Sequence, residues 1–319
     1  MPVGCTTPAE KENVFISAGD CSLAIVPDLG GKIASICIKG QELLQAPLAP
    51  LAPRTHEMSF DAADASGWDE CLPTVGDCTV DTAAGPKNIP DHGDLWRVRW
   101  EILSAGDHSI ESRVQCFSLP ITLHRTVALS EVKSGFQIQL AYKLTNTGRF
   151  TVPWSWAAHP LFAADAGDRI ELPDSIRSLR VEGSAGNRLG ANGDIVDWPV
   201  TTLKSGMECD LSVAQPPSSA IGDKLFAGPL ASTENWCALL RPRAGVCIRF
   251  RFDPVETPYL GLWLCYGGWP DRSGPKQMCV ALEPCTAPVD SLAKTGPWTR
   301  MLDPGQSCSW SLNVDLEAI

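Results

Sequence analysis

Hydrophobic and polar residues alternate with a period of two along much of this chain, which predicts half-buried β-strands. The clearest case is 308–316, where apolar and polar side chains alternate without a break. Segments 95–100, 121–129, 136–144 and 246–252 follow the same pattern. Because successive side chains of a strand point to opposite faces, each segment would bury one face and expose the other. The pattern therefore predicts a fold built from antiparallel sheets.

Helical spacing is scarce by comparison. The chain contains 27 glycines and 26 prolines, which interrupt long periodic helices. Short helical turns are expected only near 54–66 and 286–296. No change of composition divides the chain, and the loop-rich segment 183–235 is interpreted as insertions between strands. We therefore predict one all-β domain over residues 1–319, a large antiparallel β-sandwich with few short helices.

Composition and charge narrow the classes of function. The hydrophobic fraction of 44% supports a sizeable core. A net charge of −11 disfavours nucleic acid and anionic membrane surfaces as partners. No apolar run is long enough to span a membrane, and the N-terminus shows no secretory signal, so a cytoplasmic location is expected. A neutral small molecule suits this charge, whereas a phosphorylated one would need a local cluster of lysines or arginines.

The chain contains 13 cysteines, none in a C-x-x-C pair and none with histidines at a zinc-site spacing. We interpret them as small buried hydrophobic residues in a reducing compartment, and we expect no metal. Gly-x-Ser-x-Gly and the phosphate-binding glycine loop are also absent from the sequence.

Two histidines and one glutamate stand where a fold would not require them. His159 ends the run 151–160, where the side chains on its own face of a strand are small, which leaves room for a ligand. Glu283 ends the apolar run 278–283, and burial there would raise its pKa as a general base requires. His92 lies in a loop rich in glycine and proline, where functional residues gather. Each also has a structural explanation, which is a locally bonded or solvated side chain.

Two further segments contain the aromatic and acidic residues that are typical of sugar sites. Trp68, Asp69 and Glu70 offer a flat ring beside two carboxylates, although the same triplet suits a helix start. Trp263 and Trp269 lie in an aromatic, glycine-rich run that core packing would also explain, and either could form a wall of the site.

The chain resembles the galactose mutarotase-like (aldose 1-epimerase) family. The similar segments occur in the family's order and extend over nearly the whole chain; they are 25–33, 68–74, 92–93, 158–162, 256–263, 283–286, 290–292 and 302–305. The resemblance implies a β-supersandwich with the sugar site in a concave sheet, and a monosaccharide as substrate. It implies no metal or redox cofactor.

The family's catalytic residues fall on Glu283, His159 and His92. In the family's scheme Glu283 would take the proton from the anomeric hydroxyl and His159 would protonate the ring oxygen. The ring would open, the C1–C2 bond would rotate, and closure would give the other anomer. His92 would position and polarise the substrate.

The chain departs from the family's better-known enzymes in two places. Their arginine-containing segment upstream of the first histidine has no identifiable counterpart in the sequence, and Asp69 and Glu70 occupy roughly that region. Their acidic residue that binds sugar hydroxyls has a candidate counterpart in Asp223. The predicted substrate-binding residues are therefore Trp68, Asp69, Glu70, Asp223 and Trp263.

Three other functions stay open beside mutarotation of a free aldose. One is a non-catalytic sugar-binding or regulatory protein on the same fold. A hexose-6-phosphate mutarotase is disfavoured, because that branch carries arginine soon after His-Gly, and here Arg97 and Arg99 come later. A glycoside hydrolase would pair Glu283 with Asp69 or Glu70, at about 5–10 Å. The sequence leaves the oligomeric state undetermined.

Overall fold

A computed structural model describes residues 13–319, and in this range the chain forms β-strands joined by loops and short 3₁₀ turns. The strands of the first half are β1 (Val14–Ala18), β2 (Cys21–Val26), β3 (Lys32–Ile38), β4 (Gln41–Glu42), β5 (Trp68–Cys71), β6 (Cys78–Thr82), β7 (Gly85–Ile89), β8 (Glu101–Ala105), β9 (Ser109–Gln115), β10 (Ile121–Val132), β11 (Gly135–Asn146), β12 (Val152–Trp154) and β13 (Ala157–Pro160). The strands of the second half are β14 (Phe162–Ala163), β15 (Arg169–Glu171), β16 (Ser178–Ser184), β17 (Ile195–Asp197), β18 (Val200–Thr202), β19 (Glu208–Asp210), β20 (Ile221–Ala227), β21 (Trp236–Arg241), β22 (Val246–Phe252), β23 (Tyr259–Tyr266), β24 (Met278–Cys285), β25 (Arg300–Leu302) and β26 (Ser307–Ala318). The 3₁₀ turns are Pro27–Leu29, Leu95–Arg97, Ala185–Asn187 and Pro217–Ser219.

Two large antiparallel sheets dominate the described residues. The first has twelve strands, with the main order β1-β2-β3-β5-β13-β24-β23-β20-β16-β17. The second has eight, in the order β15-β21-β22-β26-β11-β10-β9-β8. The predicted strands at 121–129, 136–144, 246–252 and 308–316 lie in β10, β11, β22 and β26, so these predictions and the all-β fold class are confirmed.

The main core lies between the two sheets. In β11 every second side chain from Phe136 to Leu144 is buried, as the period of two predicts. Trp68 of β5 packs across the sheets on Phe250 of β22, with ring centroids 5.6 Å apart. Tyr142 of β11 stacks on Trp310 of β26 with centroids 5.2 Å apart. Inward-facing residues of both sheets thus fill one apolar layer.

Two strand predictions are wrong in detail. Residues 95–100 form a 3₁₀ turn followed by extended chain, because the buried Arg97 donates hydrogen bonds to the carbonyls of Asp91 and Gly93 and holds the loop folded. Residues 151–160 form two strands that pair with different partners, since β12 pairs with β25 while β13 pairs with β5 and β24. The backbone N–H of Ser155, between them, bonds instead to the carbonyl of Pro73 at 3.0 Å.

The expected helical turns and insertions also differ from the structure. Neither 54–66 nor 286–296 contains a helix in the described chain. Segment 183–235 is more ordered than predicted, because it contains β17, β18, β19 and β20. Of these, β20 lies inside the twelve-stranded sheet, between β23 and β16. The position of β20 brings a residue of this segment into the candidate site. The N-terminal residues on which the secretory-signal prediction depended lie outside the described residues.

Candidate active site

A cavity of about 470 Å³ opens over four neighbouring strands of the twelve-stranded sheet, which are β13, β24, β23 and β20. Its wall includes the three predicted catalytic residues, Glu283, His159 and His92. Small-molecule sites commonly have volumes of roughly 300–1000 Å³, so this cavity has the size for one sugar ring. Successive side chains of β24 point to opposite faces of the sheet. Leu282 therefore packs in the core between the sheets, while Glu283, the next residue, lines the cavity.

Glu283 stands near the end of β24 with its side chain buried. Its Oε2 forms an ion pair with the ammonium of Lys224 on β20. Its Oε1 has no hydrogen-bond partner among residues 13–319. Burial raises the pKa of Glu283 above its ordinary value, although the charge of Lys224 opposes this shift. A carboxylate with one unused oxygen and a raised pKa is suited to accept a proton.

Gly261 of β23 makes the contact between Glu283 and Lys224 possible. Strand β23 lies between β24 and β20, and Gly261 is the register partner of Glu283. A Cβ at this glycine would stand only 2.9 Å from Oε2 of Glu283. The missing side chain therefore leaves a gap through which the carboxylate reaches a lysine two strands away. A glycine inside a strand is the sequence signal for such close approach, and Gly261 carries that signal.

His159 stands near the end of β13 and is also buried. Its Nδ1 lacks a hydrogen-bond partner within the described chain. Burial lowers its pKa well below 6.5, and the nearby charges of His92, Lys224 and Lys32 act in the same direction. His159 is therefore a buried imidazole with a polar atom available to a ligand.

His92 is held in a backbone conformation that is unfavourable for a side-chain-bearing residue. Its φ is 58°, in the left-handed region. Its N–H donates to the carbonyl of Val75, and its Nδ1 lies 2.8 Å from the carboxylate of Asp91. The ring stacks on Phe60 with centroids 3.8 Å apart, and it meets the ring of His159 edge to face at 5.0 Å. Strain of this kind is found at functional sites, where the surrounding structure maintains it.

The structure adds Lys224 and Asp290 to the site, and sequence reasoning found neither. Asp290 follows β24 in a loop, where its carbonyl accepts hydrogen bonds from the N–H groups of Val75 and Gly76 at 2.9 and 2.8 Å. Its Oδ1 lies 3.9 Å from Nζ of Lys224. Burial raises the pKa of Asp290. The sequence did not indicate a site role for Lys224, because it lies in the segment 183–235, which was interpreted as insertions between strands.

Aromatic side chains form another part of the wall. Phe60, Trp263 and Trp269 line the cavity, as predicted only for the two tryptophans. The indole N–H of Trp263 donates to Oε1 of Gln277 at 2.9 Å, and Gln277 in turn donates to the carbonyl of Ala65 at 3.1 Å. These bonds fix the orientation of the Trp263 ring beside the cavity.

Three residues predicted to bind substrate do not line this cavity. Trp68 packs in the core between the sheets. The carboxylate of Asp69 forms a buried ion pair with Lys32 at 2.5 Å. Glu70 accepts bonds from Arg125, Tyr142 and Trp156 and so links the two sheets. The triplet lies in β5 and does not start a helix, and its side chains pack and pair on both faces of the sheet.

Asp223 is also directed elsewhere. It precedes Lys224 on β20, and successive residues of a strand point to opposite faces. Its carboxylate accepts hydrogen bonds from Ser184 at 2.7 Å and from Nε of Arg188 at 2.9 Å. Asp223 therefore fixes β16 and the turn after it against β20, while its neighbour Lys224 faces the cavity.

Within residues 13–319 no cluster of three or more histidine, cysteine, aspartate or glutamate side chains has the arrangement of a metal site. The twelve described cysteines carry free thiols. In the same range, no helix is long and apolar enough to cross a membrane. The ionisable side chains in the cavity wall are carboxylates, two imidazoles and one ammonium.

Comparison with known proteins gives a clear result for the fold alone. No family model matches the sequence, and no curated protein matches it. The structure is similar to the Slr1438 protein from Synechocystis sp. PCC 6803, with a TM-score of 0.71, 18% identity and full coverage of both chains. It is similar to a candidate aldose 1-epimerase from Escherichia coli K12, with a TM-score of 0.70, 17% identity, and coverage of 96% of this chain and 99% of that one.

A third similar structure is a galactose mutarotase-like protein from Lactobacillus casei ATCC 334, with a TM-score of 0.65, 16% identity, and coverage of 96% of this chain and 100% of that one. At these identities the likeness concerns the fold and not the activity. The chain therefore has the galactose mutarotase-like β-sandwich fold that the sequence resemblance predicted.

Proposed function

We propose that this protein is an aldose 1-epimerase, which interconverts the α and β anomers of a free aldose by opening and closing the sugar ring. The observation that carries the proposal is the presence of Glu283, His159 and His92 in the wall of one monosaccharide-sized cavity. Two of them, Glu283 and His159, have polar atoms without a partner in the described chain. Buried polar atoms are normally paired, so unpaired ones in a cavity favour a ligand.

In this mechanism Glu283 accepts the proton of the anomeric O1 hydroxyl, and the electrons of that O–H bond form the carbonyl as the C1–O5 bond breaks. His159, in its imidazolium form, delivers a proton to O5, which becomes a hydroxyl, and the ring of His159 becomes a neutral imidazole. The C1–C2 bond of the open aldehyde rotates by about half a turn, and reversal of the same steps closes the ring with the other configuration. His92, supported by the carboxylate of Asp91, polarises the sugar near O5.

The pKa directions support reversible proton transfer. Burial raises the pKa of Glu283 and lowers that of His159, so the two values move towards each other. The raised pKa makes the carboxylate of Glu283 a stronger base, and the lowered pKa makes the imidazolium of His159 a stronger acid. Each such group typically contributes ~10²–10⁴-fold to the rate.

The charges of the cavity favour an unphosphorylated sugar over a hexose 6-phosphate. Carboxylates predominate in the wall, where Asp61, Asp91 and Asp271 join Glu283 and Asp290. Lys224, the lysine in this wall, is already paired with Glu283. These carboxylates would repel a phosphate dianion. The wall also lacks an unpaired lysine or arginine among the described residues, which a phosphate site would use.

The arginines that the phosphate branch would use serve other contacts. Arg97 is buried and bonds to backbone carbonyls. Arg99 pairs with Asp28 at 2.8 Å and is mostly exposed. Neither lines the cavity, which supports the free aldose as the substrate class.

Polarimetry tests the proposal. Freshly dissolved α-D-glucose, α-D-galactose and a panel of further aldoses are followed with and without protein, and an accelerated approach to the equilibrium rotation is expected for at least one sugar. Glucose 6-phosphate, followed by rapid NMR of its anomers, should show no acceleration. Sugar binding in calorimetry without any acceleration would replace the enzyme by a sugar-binding protein on the same fold.

A further inference from the structure

The candidate base and the lysine form an ion pair at the bottom of the cavity. Glu283 contacts Lys224 from two strands away, across the gap left by Gly261. Both side chains are largely shielded from water, with exposures of 1% and 11%. A pair so buried is a poor source of stability, because the loss of hydration offsets the attraction between the charges. Its position in a catalytic cavity therefore calls for a functional explanation.

The ammonium of Lys224 has three contacts that fix its place. Nζ donates to Oε2 of Glu283, lies 3.9 Å from Oδ1 of Asp290, and stands 5.3 Å from the ring centre of Phe226. Phe226 is two residues further along β20, on the same face, so its ring supports the ammonium from the side. The lysine is thus held by its own strand and by the two carboxylates.

In this arrangement the two carboxylate oxygens of Glu283 have different environments. Oε2 is occupied by the ammonium, while Oε1 has no hydrogen-bond partner in the described structure. Building on the proposed function, we infer that Lys224 is a positioning residue for the base: it fixes Oε2 of Glu283 and leaves Oε1 as the atom that receives the proton of the anomeric hydroxyl.

The charge of Lys224 has a second consequence, since a buried carboxylate alone would tend to stay protonated. The other titratable groups near Glu283 do not replace the charge of Lys224. The carboxylate of Asp290 raises the pKa of Glu283, and His92 lowers that pKa less than Lys224 does. The thiols of Cys71, Cys279 and Cys285 are buried around the same carboxylate, and their own raised pKa values keep them neutral. Lys224 is therefore the group that keeps the base ionised.

The experiment compares Lys224→Met with wild type by two readouts. The first is the ionisation midpoint of the Glu283 carboxyl, followed by ¹³C NMR of glutamate-labelled protein and assigned by the resonance that Glu283→Gln removes. In Lys224→Met this midpoint should rise by about one to three pH units. The second is the pH profile of kcat in polarimetry, where the acidic limb should shift upwards by the same amount. Activity near neutral pH should then fall roughly tenfold or more and recover as the pH is raised, with KM little changed.

Three variants sharpen the comparison. Lys224→Arg keeps the charge and should keep the midpoint near that of wild type. Lys224→Gln keeps a hydrogen-bond donor without the charge, and it replaces the methionine variant if that protein fails to fold. Lys204→Met removes an exposed lysine that pairs with Asp194 at 3.3 Å, and it should change neither readout.

An unchanged Glu283 midpoint in a folded Lys224→Met or Lys224→Gln protein would overturn the inference. Equal loss of activity at every pH would also overturn it, because that result would mean a structural role. If the wild-type protein accelerates no aldose, the proposed function fails instead, and the NMR midpoints alone decide the role of Lys224.

Discussion

Two buried glutamates show how one residue type serves stability in one place and chemistry in another. Glu70 of β5 and Glu283 of β24 are both fully shielded from water. Oε1 of Glu70 accepts bonds from Arg125 at 3.2 Å and Tyr142 at 2.9 Å, and its Oε2 accepts one from Trp156 at 2.9 Å. Within the described part of the chain, Glu283 has one hydrogen-bond partner, on one oxygen.

The difference comes from the face of the sheet on which each carboxylate lies. Glu70 points between the two sheets, where donors from β10, β11 and the segment before β13 surround it. Glu283 points to the opposite face, where the cavity replaces a second layer of protein. A complete set of donors makes a buried carboxylate a structural link, whereas an incomplete set beside a cavity leaves an atom free for a substrate. Burial by itself therefore does not indicate function.

The same substitution at both positions gives the sharpest test, and its largest effect is expected at the cavity. Glu283→Gln keeps the shape but removes the proton acceptor, so turnover should fall by ~10²–10⁴-fold while sugar binding persists. Its stability should change less than that of Glu70→Gln, because Lys224 retains Asp290 at 3.9 Å. Polarimetry and calorimetric titration with the preferred aldose measure the two quantities. Full activity in this variant would refute the assignment of the base.

Glu70→Gln should have the opposite profile. Removing the charge leaves the buried guanidinium of Arg125 without its counterion, which typically costs about 3–5 kcal/mol. The free energy of unfolding, measured by guanidinium chloride denaturation, should fall by that amount. Turnover per folded molecule should stay near that of wild type, since Glu70 does not line the cavity. A loss of activity without a loss of stability would place Glu70 in the site after all.

Gly261→Ala tests the gap between the strands. The new Cβ would stand 2.9 Å from Oε2 of Glu283, so the carboxylate must move away from Lys224. A displacement on this scale typically costs about 10²-fold in rate. Gly183→Ala is the matched control. Gly183 lies in β16 of the same sheet, and a Cβ there would meet no atom within 4 Å. Comparable activity in the two variants would show that the gap has no role in catalysis.

The smallest effect is a dependence on pH that has opposite signs for activity and stability. The base must be ionised, so activity should fall as the pH drops through the raised pKa of Glu283, with a midpoint above the ordinary value of 4.5. The same raised pKa means that the folded state binds the proton more tightly than the unfolded state. Stability from this group is therefore complete below pH 4.5 and is lost as the pH rises through the folded pKa.

Glu283→Gln should reduce the slope of the unfolding free energy against pH, because it removes the contribution of Glu283 to that slope. The remaining slope includes Glu70, whose pKa is also raised by burial. Denaturation of both proteins between pH 4 and pH 8 measures the difference. Identical slopes would mean that Glu283 has the same pKa in the folded and unfolded states.

Much of the fold was predictable because it depends on local pattern. Strands such as β11 and β26 have strict alternation, and each buries one face against the other sheet. The predictions failed where side-chain bonds override the pattern. Residues 95–100 alternate like a strand, yet Arg97 folds back on the carbonyls of Asp91 and Gly93. No periodicity records a contact of that kind.

The sequence by itself determined the all-β class. It singled out Glu283 and His159 because a charge or imidazole in an apolar run conflicts with burial, and His92 because it lies in a loop rich in glycine and proline. Only the tertiary structure decided which acidic residues face the cavity. Asp69 and Glu70 pair with Lys32 and Arg125, whereas Asp290 comes to the cavity from a loop. Strand order places Glu283 and Lys224 two strands apart although 59 residues separate them in the chain. Such pairings depend on which strands become neighbours, and strand order is a property of the whole sheet.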